Sequence, residues 1–445
     1  MNKLYLYLFD LLKNRKTLYY YNEFSGSVFM DPEDIKKKQI EKIRKLLIHA
    51  GRNSPFYHQL FNKYDFRPDQ FRDFSQLKQI PYLTRSDLQN DWRNIVATNY
   101  NLRKLSKGSS SGSTGSPVFY YKDNIANSAG QAAGYTGWLL GGWKMSHKGL
   151  HIWGNPSTVN NEWKRNSSKL KAKLFRHHKF PAYKLSDGKQ FYKLFNMIIK
   201  EKYDFIDGYT NAIYLFAEYL KNNNLSIGSS IKYVFTTAEN LLDYQRRTIK
   251  ENIAPVYDSY GCSEINGIAY ECNKCNSYHI IDPHVYVEYG DMMDEYGSKE
   301  LIITDLDNYA FPFIRYKLGD LAIPLDDDNQ CEVSFSSFKS VSGRQSDILR
   351  FSDGGTLSVP SFFGSMLLKQ IKGIRQYQIV RKDKNNIVIK IVSTNDFDEL
   401  DKKKLIEGLD EYLKNRINYK IEFVNKIEVS RSGKFKLLID QTVTQ

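Results

Sequence analysis

Cysteine is scarce, with four residues in 445. That excludes a disulfide framework as the source of stability and favours a reducing compartment. Long apolar runs are missing. No stretch approaches the ~18 consecutive apolar residues of a membrane-spanning helix. The start, Met1 to Phe9, opens like a signal sequence, but the apolar run stops at Asp10. No small-residue cleavage site follows, and Lys13, Arg15 and Lys16 come next. The expectation is a soluble cytoplasmic protein. Leu4, Leu6, Leu8, Phe9, Leu11 and Leu12 form a short helix whose apolar face packs on the body of the protein rather than on a membrane. Internal repeats and low-complexity segments are absent. Acidic residues are in deficit, 50 Asp+Glu against 64 Lys+Arg, for a net +14. The excess suits anionic partners (nucleic acid, a nucleotide, coenzyme A or a membrane surface), or it is only a solvated Lys-rich surface.

What is present is globular material. Hydrophobic residues make up 41% and charged residues 26%, which excludes disordered and collagen-like classes. The length suggests two or three domains of about 150 residues. Asp31 as N-cap, Pro32 at the first helical position and Ile40, Ile43 and Leu47 on one face predict a helix over 31–50. Helices are predicted at 209–220 and 241–251, and buried strands at 231–237 and 255–260. This alternation implies a parallel sheet covered by helices. Short strands follow at 285–289, 301–304 and 313–316. From about 343 a small α+β unit is predicted, with strands at 377–381 and 387–392, a helix at 398–415 and a strand at 420–425. Residues 344–347 are the candidate linker.

Ser109-Ser-Ser-Gly-Ser-Thr-Gly-Ser-Pro-Val118 is the most informative stretch. Its glycines let backbone approach an anion, and its hydroxyls and N–H groups donate to phosphate oxygens. It is not a Walker A loop, because Ser116 and Pro117 follow Gly115 where a lysine would be needed. A flexible Gly/Ser linker is the competing reading.

Three further segments follow predicted strands: Thr236-Thr-Ala-Glu-Asn240, Ser259-Tyr-Gly-Cys-Ser-Glu264 and Phe313-Ile-Arg-Tyr-Lys-Leu-Gly-Asp320. With the hydroxyl loop, in this order and spacing, they resemble the adenylate-forming superfamily. Ser342-Gly-Arg-Gln-Ser-Asp347 resembles its Gly-Arg-x-Asp-Asp hinge, with Ser346 replacing the first acid. Arg431-Ser-Gly-Lys-Phe-Lys436 resembles its C-terminal Gly-Lys motif. The length and the run Ala269-Tyr-Glu-Cys272…His279 are most similar to the phenylacetate–coenzyme A ligase and CapK-type capsule-synthesis branch.

The resemblance implies an α/β fold, with a large N-terminal body of helix-covered sheets (1–343) and a small mobile C-terminal α+β domain (344–445). It implies that Ser110, Ser111, Gly112, Ser113, Thr114 and Gly115 hold the ATP phosphates. Ala238, Glu239 and Tyr260 border the adenine, and Glu264 holds Mg²⁺. Asp320 accepts from the ribose hydroxyls, and Arg344 reaches phosphate or ribose. Lys434 bridges the charge developing between carboxylate and α-phosphate. The implied reaction forms an acyl-adenylate from a small carboxylic acid, then passes the acyl group to a thiol, coenzyme A or a carrier-protein phosphopantetheine. An amide ligase of surface-polysaccharide or secondary-metabolite synthesis is one alternative. A non-catalytic basic protein that binds polyanions is another. The enzyme readings need no nucleic acid and allow at most peripheral membrane contact. Trp153, Tyr209 and Phe235 are compatible with an aromatic acid.

The residues carry a second signal. Cys272-x2-Cys275 followed by His279 has zinc-ligand spacing, since thiolates and imidazole suit tetrahedral Zn²⁺. Cys262 is the expected fourth ligand, with His284 as a weaker alternative; buried free cysteines are the competing reading. A basic run, Lys164, Arg165, Lys169, Lys171, Lys173 and Arg176 to Lys179, reads as a solvated helix face or an attractor of a phosphate-bearing acceptor.

Overall fold

The computed structural model describes residues 3–110, 118–153, 176–185, 188–275, 277–292, 297–325, 331–344, 348–353, 355–359, 362–363, 371, 373–413, 416–427 and 437–442. The chain forms two compact units. One comprises 1–146, 259–291 and 299–340, the other 147–258, 292–298 and 341–445. This grouping differs from a single linear cut at 343, because residues 147–258 cluster with the C-terminal region.

In the first unit the predicted helix spans Pro32–Asn53. Asp31 caps it by accepting from the Glu33 N–H at 2.8 Å. Its buried stripe is Ile35, Gln39, Ile43, Leu46, Leu47 and Ala50, while Ile40 is only half-buried. Gln39 is buried because its amide donates to the Asp282 and Val285 carbonyls. The N-terminal helix, Lys3–Lys13, departs from expectation. Leu6 and Asp10 are its buried residues, while Leu4, Leu8, Leu11 and Leu12 stay exposed. Its anchor is polar, for the Asp10 carboxylate accepts from the Leu18 N–H at 2.8 Å.

Strands of this unit lie in the order Val285–Met292, Lys299–Asp305, Tyr316–Pro324, Ser337–Arg344, Tyr278–Ile280, Ala269–Glu271. Tyr278–Ile280 runs antiparallel to both of its neighbours. The strand expected at 313–316 instead begins at Tyr316. Arg315 adopts a φ of 52°, and a left-handed residue cannot continue an extended run.

The second unit contains the predicted parallel sheet, ordered Tyr233–Thr237, Phe205–Tyr209, Gly149–Ile152, His177–Phe180. Helices Gly188–Glu201, Thr210–Asn222 and Asp243–Asn252 belong to it. Leu150, Ile206, Val234, Ile213 and Ile249 share one apolar core there. The tail of the basic run is not helical: Arg176 has a positive φ and the strand His177–Phe180 follows. Residues 164–175 lie outside the described residues. The C-terminal region forms a four-stranded sheet ordered Asn418–Phe423, Asn386–Ser393, Ile374–Arg381, Leu438–Asp440. With it goes the helix Glu399–Leu413. Tyr377, Ile379, Ile389, Leu405 and Leu409 form its core, and Leu242 joins them. Arg375 pairs with Glu218, and Tyr214 donates to the Arg375 carbonyl at 3.2 Å.

No helix among the described residues is long and apolar enough to cross a membrane.

Candidate active site and cysteine cluster

The strands that flank the hydroxyl stretch pair with each other. Ser106–Ser110 runs antiparallel to Val118–Lys122, and Ser110 opposite Val118 is the last pair before the loop. Ser110 therefore ends a strand. Ser111, Gly112, Ser113, Thr114 and Gly115 lie outside the described residues. Gly108 lies against the Tyr120 ring, where an added Cβ would come within 2.2 Å of it. Any side chain there would require the ring to move.

In the first unit, Tyr260 closes the strand Val256–Tyr260, and the turn after it is locked on itself. Cys262 N–H donates to the Ile265 carbonyl at 3.0 Å, and Ile265 N–H donates to Cys262 Sγ at 3.2 Å. Glu264, carried on this turn, is buried. The Tyr260 hydroxyl donates to Asp320 Oδ2 at 2.9 Å, and both residues are buried. Gly319, just before Asp320, has a φ of +78°. Three residues singled out from sequence, Tyr260, Glu264 and Asp320, thus gather in one part of this unit. The Cys262 thiol is pushed up by burial and then by the Glu264 and Asp320 charges.

Lys122 was not singled out from the sequence, and it belongs with them. It ends the hairpin strand, is buried, and donates from Nζ to the Ser263 carbonyl at 3.3 Å. Burial lowers its pKa, opposed by the nearby charges of Asp305, Cys262 and Glu264. The available signal was a lysine closing the aromatic run Val118-Phe-Tyr-Tyr directly after the loop. Arg315 of the Asp320 motif is committed elsewhere. Its guanidinium meets Glu288 with both prongs, Nε to Oε2 at 3.0 Å and Nη2 to Oε1 at 2.9 Å.

In the second unit, Ala238 follows the strand Tyr233–Thr237 with a φ of 71°, a conformation that non-glycine residues rarely adopt. Glu239 caps the helix Thr210–Asn222. Its Oε2 accepts from the Asn211 N–H at 2.9 Å, and its carbonyl accepts from Thr210 Oγ1 at 3.0 Å. Trp153 stacks on His151 at 5.2 Å and meets Tyr209 at 4.3 Å. His151 is paired with buried Asp207. Arg344 ends the strand Ser337–Arg344. Ser346 and Lys434 lie outside the described residues.

The cysteine cluster is real but differently composed from expectation. Cys272 Sγ lies 3.4 Å from Cys275 Sγ and 3.7 Å from Cys331 Sγ, and Cys275 Sγ lies 3.2 Å from His279 Nε2. All four ligand atoms fall within 4.8 Å of one another. Cys262, expected as the fourth member, is held in its own turn, and Cys331 takes that place. His284 is excluded as well. Its Nδ1 faces Asp307 Oδ2 at 2.8 Å and its Nε2 faces the Asn266 carbonyl at 3.0 Å, and it groups with Asp305 and Asp307 rather than with the cysteines. Lys42 neutralises the same Asp307 at 2.7 Å.

Residues 354–441 match the CapK C-terminal domain family. The chain is similar to protein CapK of Staphylococcus aureus, 26% identical over 445 positions covering 96% of this chain and 94% of that protein. It is also similar to the phenylacetate-coenzyme A ligase of Thermus thermophilus, 23% identical over 371 positions covering 78% of each. Its fold matches the crystal structure of 2-hydroxyisobutyryl-CoA ligase in the postadenylation state. The TM-score there is 0.74 at 16% identity, covering 93% of this chain and 91% of that one. Ordered motifs, α/β architecture and near-full-length relatives agree: the chain is similar to the AMP-forming ligases of the adenylate-forming superfamily, in the branch of phenylacetate–coenzyme A ligases and CapK-type proteins.

Proposed function

We propose that this protein activates a small carboxylic acid with ATP and passes the acyl group to a thiol, coenzyme A or a carrier phosphopantetheine. The observation that carries the reading is the meeting of Tyr260 and Glu264, from one motif, with Asp320, 60 positions beyond Tyr260, in one buried neighbourhood beside Lys122.

A carboxylate oxygen of the acid attacks the α-phosphorus of ATP. The bond to the bridging oxygen breaks, pyrophosphate leaves, and an acyl-adenylate remains. The acceptor then attacks the acyl carbon, its proton is lost, and AMP departs. No side-chain nucleophile is required, so the protein contributes alignment and charge stabilisation. In this reading the loop from Ser110 to Gly115 donates to the β- and γ-phosphates. Ala238 and Tyr260 border the adenine, and Glu239 shapes that border through the helix it caps. Asp320, oriented by Tyr260, accepts from the ribose. Arg344 reaches phosphate or ribose, and Lys434 meets the charge that builds between the two reactants. Mg²⁺ would neutralise phosphate charge, and buried Glu264 offers the hard oxygen ligand that suits it. Residues 344–445 act as a lid that brings Lys434 for the first step and withdraws it for the second. The cofactor set includes a structural Zn²⁺.

The acceptor and compartment belong to the same proposal. A thiol acceptor follows the coenzyme A ligases among the relatives, and an amine acceptor in surface-polysaccharide or secondary-metabolite synthesis is the second reading. The cytoplasm supplies ATP and coenzyme A. The exposed Leu4, Leu8, Leu11 and Leu12 suit peripheral membrane contact. The test is ATP–pyrophosphate exchange across aryl, acyl and amino acids, followed by acceptor-dependent AMP release. Exchange with one acid class and its abolition in Lys434→Ala are expected. Exchange unchanged in Lys434→Ala would sink the adenylation assignment. Polyanion binding with steep salt dependence and no exchange would favour the non-catalytic reading.

A further inference from the structure

We infer that Cys272, Cys275, His279 and Cys331 bind one structural Zn²⁺ as a closed four-ligand site. This specifies the zinc in the proposed cofactor set. It rests on local geometry rather than on the adenylation chemistry, so the two stand or fall separately.

Three sulfurs and one imidazole nitrogen form a soft to borderline set that selects Zn²⁺ over Mg²⁺ or Ca²⁺. A tetrahedral ion with Zn–S bonds of ~2.3 Å separates its sulfurs by about 3.8 Å. The Cys272–Cys331 separation is 3.7 Å and the Cys272–Cys275 separation is 3.4 Å. All four cysteines of the chain are free.

The surrounding groups prepare the ligands. His279 Nδ1 lies 3.3 Å from the Phe335 carbonyl, an acceptor that requires the proton on Nδ1. The Nε2 lone pair is thereby left facing the sulfurs, the tautomer that ligation needs. Lys274 and Cys275 donate their N–H groups to Cys272 Sγ at 3.4 and 3.3 Å. Paired backbone donors fix the position of that sulfur. These features follow from the local fold. Cys272 comes directly after the strand Ala269–Glu271, and His279 sits in the antiparallel strand opposite Tyr270. The strand Ser337–Arg344, opposite His279 at Ser337, leads back to Cys331.

A site with four protein ligands leaves no position for a substrate, so its role is structural. It ties Cys331 to Cys272 across 59 positions of chain and fixes the segment downstream of Glu264. Long loops are the ones whose closure removes most entropy from the unfolded chain.

The experiment measures zinc in the full-length protein, purified without chelator, by mass spectrometry, for wild type, Cys331→Ser and Cys262→Ser. About one zinc per chain is expected in wild type and Cys262→Ser, with at least a tenfold loss in Cys331→Ser. A zinc-free wild type that takes up none from added Zn²⁺ would overturn the inference. So would a Cys331→Ser protein that keeps its zinc. Because Cys331→Ser can misfold, zinc-edge X-ray absorption on wild type gives an independent result. A first shell of three sulfurs and one nitrogen supports the site. A shell of two sulfurs, of four, or of oxygen overturns it.

Discussion

The Tyr260 hydroxyl donates to Asp320 Oδ2 at 2.9 Å, joining two motif residues 60 positions apart. In the proposed site one carboxylate faces the ribose while the phenol fixes its direction. Tyr260→Phe removes a buried donor and should cost ~1–3 kcal/mol of stability. The KM for ATP should rise more than kcat falls, because the ring still borders the base. Urea unfolding together with pyrophosphate-exchange kinetics checks both; a variant with unchanged stability and KM would refute the positioning role.

Glu264 and Lys122 should respond oppositely to Mg²⁺. Glu264→Gln removes the proposed hard ligand, and exchange should fall on the order of 100-fold. Lys122→Met keeps the buried stem but removes a cation from beside Glu264. The Mg²⁺ concentration for half-maximal exchange should therefore rise in the first variant and fall in the second. Magnesium titration of exchange decides it, and a parallel response of the two would break the assigned relationship.

Asp282 gives a pH dependence with a definite sign. Burial pushes its carboxyl up to about 7 from an ordinary 3.8, although the Ser336 N–H donates to Oδ2 at 2.6 Å. Between those values the folded state holds a proton that the unfolded chain has lost, so this contribution to stability declines as pH rises. The decline is about 1.4 kcal/mol for each pH unit between the two values. Asp282→Asn mimics the protonated form at every pH. The variant should gain on wild type as pH goes from 4 to 7, which denaturant melts at several pH values will show. A pH-independent difference would contradict the assignment.

Arg315 should tolerate no conservative exchange. Both prongs of its guanidinium meet Glu288, and the pair is largely buried. Arg315→Ala leaves the carboxylate buried without its partner, at about 3–5 kcal/mol. Arg315→Lys should recover little of this, because an ammonium cannot reproduce the two-pronged geometry. Chemical denaturation of both variants measures it, and recovery of most of the stability by lysine would refute the fork as the reason.

The amphipathic helix after Asp31, the strands at 233–237 and 256–260, and the C-terminal α+β pattern were legible because each rests on local periodicity and capping. Tyr260, Glu264 and Asp320 were legible because they sit in ordered motifs. The strand expected at 313–316 was misread because its apolar residues serve a turn. Arg315 is left-handed there, and no side-chain pattern announces a positive φ. The exposed leucines of Lys3–Lys13 show the same limit, because periodicity reports which residues share a face and not whether another element covers it.

By itself the sequence determined the family resemblance, the order of the motifs and the Cys272, Cys275 and His279 triplet, all of which depend on near neighbours along the chain. Only the tertiary structure chose Cys331 over Cys262, buried Lys122 against the Ser263 carbonyl, and paired His284 with Asp307. Those choices turn on which distant segments a sheet brings side by side. Strand order is set by the summed burial of many side chains, so no single residue's neighbours in sequence can announce it.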